Sequence, residues 1–336
     1  MTRAKAIAAT AVAFMGISLS TALAQGRGET VKIQDYPGIG NMIYRVAVAK
    51  GYCGEHGITC QLQTIPSGPL GAQALLAKSI DVALIPPDVQ IMAALKGARL
   101  VAILSGVQRN PFQIVARNDA EAPAAGRDYR SFMTDLKGKK IGVPARGSAG
   151  ELQFVQLALR AGLKPTDFTF VAVGAPVTAY GALISKQVDA NMTFEPSGSM
   201  CEVLKTCRTL FRASNATEPP EVAGTNGGSA VHAMTSDAAT RSPHVVEALI
   251  AAGRDAEAFI QNPANFEELL KIAQGFFKFD LPRGDEIMTV SLKEAIPSYR
   301  LPISRPALKQ VADNMLATRQ IEAAFDTTSL LYEKAP

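Results

Sequence analysis

The chain of 336 residues has no tryptophan, three histidines, four cysteines and only 19% charged residues. Without tryptophan, the sugar stacking that residue often provides would fall to Tyr or Phe, which disfavours sugars as ligands. The histidines, His56, His232 and His244, lie far apart, and neither cysteine pair has the C-x-x-C spacing of a zinc knuckle. A metal centre is therefore not expected. Basic residues are scattered and not interleaved with aromatics, which excludes the usual nucleic-acid surfaces. The sequence also has no G-x-S-x-G elbow, no phosphate-binding P-loop, no complete G-x-G-x-x-G after Gly38 and no H-E-x-x-H. An enzyme would have to work without any of these, and no cofactor is expected.

The N-terminus does carry a pattern. Arg3 and Lys5 precede an apolar run from Ala6 to about Leu19, and Ala22-Leu23-Ala24 follows. This reads as a secretory signal peptide over 1–24, with a mature protein exported to a bacterial periplasm. No cysteine near the cleavage point could hold a lipid. Removing Arg3 and Lys5 leaves 32 basic against 30 acidic residues, a net charge of +2. Oxidising export suits disulfides, and of three possible connectivities the local pairs Cys53–Cys60 and Cys201–Cys207 are the simplest.

Apolar runs bounded by Gly and Pro alternate with helical patterns, the mark of parallel strands covered on both faces. Strands are expected at Val31–Asp35, Thr59–Ile65, Val82–Ile85 and Leu100–Leu104, and helices at Met42–Gly51, Leu70–Ser79 and Gln90–Lys96. The order then recurs at an offset of 108. Lys32-Ile33 matches Lys140-Ile141, Ala74-Leu75 matches Ala182-Leu183, and Lys78 and Asp81 match Lys186 and Asp189. Two α/β lobes of one design follow, with residues 25–110 opening the first, 111–224 forming the second, and 225–336 returning to the first. The strand at Gln113–Ala116 is expected in the second sheet and that at Ala230–Met234 in the first. Ser242-Pro243 starts a long helix, and Asn265–Gln274 and Pro306 to about Ala317 are further helices expected to pack on the first lobe.

Ligands of open parallel sheets sit beyond the carboxyl ends of the strands. In the first lobe those ends place Tyr36, Gly38, Asn41, Gly68, Pro87 and Asp88 at a cleft. In the second they place Thr178, Glu195 and the strand-turn-helix Arg146-Gly147-Ser148-Ala149, read as an anion cradle because unpaired N–H groups at a helix start attract negative charge. Thr225 and Asn226 fall on the second crossing between lobes.

The leader, Gly38-Ile39-Gly40-Asn41, Leu183-Ile184-x-Lys186-x-Val188-Asp189-Ala190, the run Lys137-Gly138-Lys139-Lys140-Ile141-Gly142-Val143-Pro144 with Gly147-Ser148, and Glu195-Pro196 together resemble the sulfonate/nitrate/taurine-type solute-binding proteins of ABC importers. The resemblance covers nearly the whole mature chain. It implies the type II periplasmic-binding fold, a hinge of two crossings, a small organic anion (sulfonate or carboxylate) as ligand, and a membrane permease and ATPase as partners of a monomer. The alternatives are an exported enzyme, such as a pyrimidine-precursor protein, or a receptor feeding a sensor or another transporter class.

Overall fold

The computed structural model describes residues 26–120, 128–277 and 279–336; the expected signal peptide lies outside them. Among the described residues ten strands form two sheets: β1 (Thr30–Asp35), β2 (Thr59–Thr64), β3 (Ala83–Ile85), β4 (Leu100–Val107), β5 (Gln113–Arg117), β6 (Lys140–Val143), β7 (Thr169–Ala172), β8 (Ala190–Thr193), β9 (Cys207–Arg212) and β10 (Ala230–Thr235). The first sheet runs β2-β1-β3-β10-β4. A bridge between Ile33 and Val82 and the Gln34 N–H to Val82 carbonyl bond (2.8 Å) join its two-stranded and three-stranded parts. The second runs β7-β6-β8-β5-β9.

The all-parallel expectation needs correcting in one respect. β10 is antiparallel to β3 and β4, and β5 is antiparallel to β8 and β9. Each of these strands follows a crossing from the other sheet, so it enters at the carboxyl ends of its neighbours and must run back against them. The remaining pairs are parallel.

The 108-residue repeat is present in atomic detail. The Lys32 N–H donates to the Asp81 carboxylate at 2.8 Å, and the Lys140 N–H to that of Asp189 at 2.8 Å. Lys78 and Lys186 both take left-handed backbone angles, with φ of 58° and 62°. The helices Gly68–Leu76 and Pro176–Ile184 begin and end at that same offset. Helix Pro87–Leu95 starts earlier than expected, because Pro87 suits the first helical turn, where its missing N–H has no partner to lose.

In the tail, helix Pro243–Gln261 packs on Met42–Ala49 and Arg305–Ala317 packs on Pro87–Leu95. Ser242 precedes the first of these, but its side chain makes no capping bond. Helix Gly284–Ala295, which the sequence reading did not single out, departs from the expected docking on the first lobe alone. It bridges Phe266–Phe276 and Ser197–Leu204, and its Ile287 is buried with Leu183, Val188 and Met200 of the second sheet's layer.

Both expected disulfides are formed, Cys53–Cys60 and Cys201–Cys207. Each closes a loop of fewer than ten residues, which in the chain-entropy description contributes about 2 kcal/mol. Replacing Cys201 and Cys207 together by Ala should lower the free energy of urea unfolding by about that amount; unchanged stability would mean that the αL turn at Lys205 alone holds this corner.

Candidate functional site

The carboxyl ends of both sheets and the two crossings enclose a cleft with about 820 Å³ of empty space, part of it the open mouth. The turn after β1 contributes Tyr36, Ile39 and Gly40, and β3 and β4 contribute Leu84, Pro86 and Val107. Opposite them stand Phe112 on the first crossing and Phe194 after β8. The Phe194 ring meets Tyr36 edge-on at 5.8 Å and Phe112 at 6.1 Å. These aromatic and aliphatic walls suit an apolar ligand body, and such edge-to-face contacts are a favoured ring geometry.

Among the described residues, one cation lines the cleft. Arg212, the last residue of β9, directs Nη1 to Glu195 Oε1 at 2.7 Å and, more distantly, to Glu294 Oε1 at 3.5 Å. Glu195 is saturated: Gln113 Nε2 also donates to Oε1 (3.2 Å), while the Ser199 N–H (3.1 Å), Ser199 Oγ (2.7 Å) and Ser291 Oγ (3.4 Å) donate to Oε2. Gly198 permits this crowding, since a Cβ there would come within 2.3 Å of Gln113 Oε1. Arg212 Nε and Nη2 have no partner among the described residues, so the guanidinium has one edge held and the other open. Glu294, on helix Gly284–Ala295, is half-exposed and keeps spare acceptor capacity.

Of the residues picked from sequence, Tyr36 and Glu195 line this cleft. Gly38 and Pro87 adjoin lining residues, and Gly68 lies beneath the Tyr36 hydroxyl, 3.9 Å from where a Cβ would stand. Asn41 is wholly buried, donating to the Gln34 carbonyl at 2.9 Å. Thr178 turns its hydroxyl onto the Ala175 carbonyl (2.8 Å). Thr225 and Asn226 brace the crossings, where Asn226 Oδ1 accepts from the Asn110 N–H at 2.7 Å and Thr225 Oγ1 accepts from Asn110 Nδ2 at 3.2 Å.

The expected anion cradle is filled from within the chain. Glu151 Oε2 accepts the Gly147 N–H at 2.7 Å, Arg146 Nε meets both carboxylate oxygens at 3.0 Å, and Ser148 caps helix Ala149–Arg160. Ser148-Ala149-Gly150-Glu151 is the S-x-x-E pattern of a helix start, in which the carboxylate three residues on folds back over the turn. That spacing was visible in the sequence. Arg212 and Glu294 were missed: neither β9 nor helix Gly284–Ala295 was anticipated, so no signal drew attention to them.

Asp88 lies behind the cleft, 2% exposed, in a small cavity with Asn110, Gln153, Gln156 and Thr225. Its carboxylate accepts the adjacent Val89 N–H at 2.8 Å, and among the described residues no cation pairs with it. Burial pushes its carboxyl up to about 6.

The arrangement of two sheets around a polar-rimmed apolar cleft is that of the periplasmic-binding fold. The chain belongs to the NMT1/THI5-like family, whose pattern matches residues 41–265. A protein of Brucella abortus (strain 2308), named as a candidate binding protein, is 32% identical over 243 residues, 72% of this chain and 69% of that one. The alkanesulfonate-binding protein SsuA from Xanthomonas axonopodis pv. citri, bound to MOPS, superposes with a TM-score of 0.73 at 18% identity, covering 90% of this chain and 98% of that one. The periplasmic aliphatic sulphonate-binding protein SsuA from Escherichia coli gives 0.69 at 19% identity, with 91% and 98% covered. No helix among the described residues is long and apolar enough to cross a membrane.

Asp88 makes the site's stability depend on pH. Its folded value, about 6, lies above the ordinary 3.8, so the folded state holds the proton more tightly. The stabilisation is complete below about pH 4 and is lost as pH rises through 6. Asp88→Asn should remove this slope, so that between pH 4.5 and 8 wild type loses about 2 kcal/mol relative to the variant in urea titrations. Parallel profiles would show that the carboxyl is charged throughout.

Proposed function

We propose that this protein is the periplasmic solute-binding component of an ABC importer, and that its ligand is a small organic anion, a sulfonate or carboxylate with an apolar body. The open edge of Arg212 is the observation that carries the reading: one guanidinium, braced by Glu195, facing a cleft otherwise walled by Phe112, Phe194, Tyr36, Leu84 and Val107. The planar fork suits bidentate capture of an oxyanion. Glu294 at its side favours anions that also carry a hydroxyl or amino donor, because a bare anion would face its charge. Binding is favoured over catalysis, since the five donors on Glu195 leave it no free lone pair for proton transfer.

Delivery requires release, and the crossings supply a route. Residues 25–110 with 225–336 form one lobe and 111–224 the other; at the first-lobe ends of the crossings the Gly227 N–H donates to the Gln108 carbonyl at 2.7 Å and the Gln108 N–H to that of Ser298 at 2.8 Å, which holds the two connecting segments side by side. Ligand held first by one lobe and then by both shifts the population toward a closed form. A leader over 1–24, a monomeric state, and a permease with its ATPase as partners complete the reading.

The test is a panel of melting curves on protein stripped of bound ligand by unfolding and refolding. MOPS, hexanesulfonate, benzenesulfonate, benzoate, succinate, nitrate, an aminopyrimidine and glucose form the panel. An acid at 100 times its dissociation constant stabilises by about 2.7 kcal/mol. Arg212→Ala should weaken the responding acid at least tenfold. Stabilisation by glucose or the aminopyrimidine alone, or an Arg212→Ala variant that binds acids undiminished, would reject the anion assignment.

A further inference from the structure

The cleft-facing turn Tyr36–Asn41 rests on a charged side chain with almost no exposure. Arg45, 1% exposed on helix Met42–Ala49, pairs Nε with Asp35 Oδ1 at 2.8 Å and Nη2 with Asp35 Oδ2 at 2.9 Å. The same guanidinium donates from Nη2 to the Tyr36 carbonyl at 2.8 Å and from Nη1 to the Gly38 carbonyl. Other side chains take the rest of the turn. The Tyr299 hydroxyl donates to the Ile39 carbonyl, and Asn41, which ends the turn, joins the Gln34 carbonyl and Asp35 Oδ1 on one side and His232 Nε2 (3.0 Å) on the other.

The inner side of the turn is thus fixed by hydrogen bonds while its outer side carries Tyr36, Ile39 and Gly40 into the cleft. Gly38 takes φ of 100° and lies so near the opposite wall that a Cβ would stand 3.3 Å from the Glu195 carbonyl. A small drift of this turn would close the gap or move Tyr36 off Phe194.

A buried ion pair is a poor device for stability alone, because desolvation of both charges offsets their attraction. What Arg45 provides that an apolar pair or a lysine could not is direction: a rigid plane of donors that reaches a carboxylate and two turn carbonyls together. We propose that Arg45 is the positioning residue of the ligand cleft, its guanidinium setting the backbone of the turn that carries Tyr36 and Ile39 and thereby setting ligand affinity. The proposal rests on the solute-binding reading. A turn already ordered before the ligand arrives has less freedom to lose on binding.

Arg45→Lys keeps a charge for Asp35 but loses the fork; the double variant Arg45→Met/Asp35→Leu removes both charges and fills the space. Two quantities are measured on the full mature chain at a temperature where circular dichroism shows each variant folded. They are amide hydrogen exchange over 36–41 without ligand, and the dissociation constants of MOPS and benzenesulfonate by calorimetry. Expected are exchange at least tenfold faster in 36–41, with the rest of the first sheet unchanged, and affinity at least tenfold weaker. If Arg45→Lys does not fold, the double variant gives both readings. A lowered melting temperature with affinity within twofold of wild type would reduce Arg45 to a structural role and overturn the proposal. Should neither acid bind wild type, the exchange arm still decides: selective loss of protection in 36–41 supports positioning by Arg45, and unchanged protection overturns it.

Discussion

The structure depends on the exchange of one strand between two sheets. β5 leaves the first sheet to pair with β8 and β9, and β10 leaves the second to pair with β3 and β4. Backbone donors and acceptors in a sheet interior must be paired, so each exchanged strand is locked by ladders on both sides. Both sheets are then tethered at the ends where their parallel strands finish. The cleft between those ends is a consequence of the connectivity, and many of the side chains that line it end or follow β1, β3, β8 and β9.

The polar groups around the cleft show how low exposure decides chemistry. Glu195 is almost buried and is compensated by an arginine, an amide, a backbone N–H and two hydroxyls. Asp88 is buried without a cation, and its carboxyl holds its proton to higher pH. Asp35 is compensated completely by Arg45, and that pair holds a turn. In these three carboxylates the partners supplied by other segments, more than burial itself, separate an anchor, a titrating group and a brace.

Much of the fold was legible in the chain. Apolar runs between Gly and Pro located most strands of both sheets, and the 108-residue offset located the repeat, because each depends on neighbours in sequence. The cysteine pairs were legible for the same reason, since the partners of each lie only seven and six residues apart. The site was legible only in part. Tyr36 and Glu195 follow predicted strands and reach the cleft, whereas Arg212 ends a strand that carried no clear alternation and Glu294 comes from a helix that had not been recognised. The Gly147-Ser148 turn was read as an anion cradle, although Glu151 already offered a carboxylate from within the chain.

The sequence by itself determined the elements, their repetition and the covalent loops, since periodicity, turn residues and short separations act locally. The tertiary structure alone decided that β5 and β10 run antiparallel, that helix Gly284–Ala295 bridges both layers, and that Arg212, Glu195 and Glu294 meet. Those outcomes join segments tens of residues apart, and which donor reaches which carboxylate is settled only when the packed backbone fixes their distances.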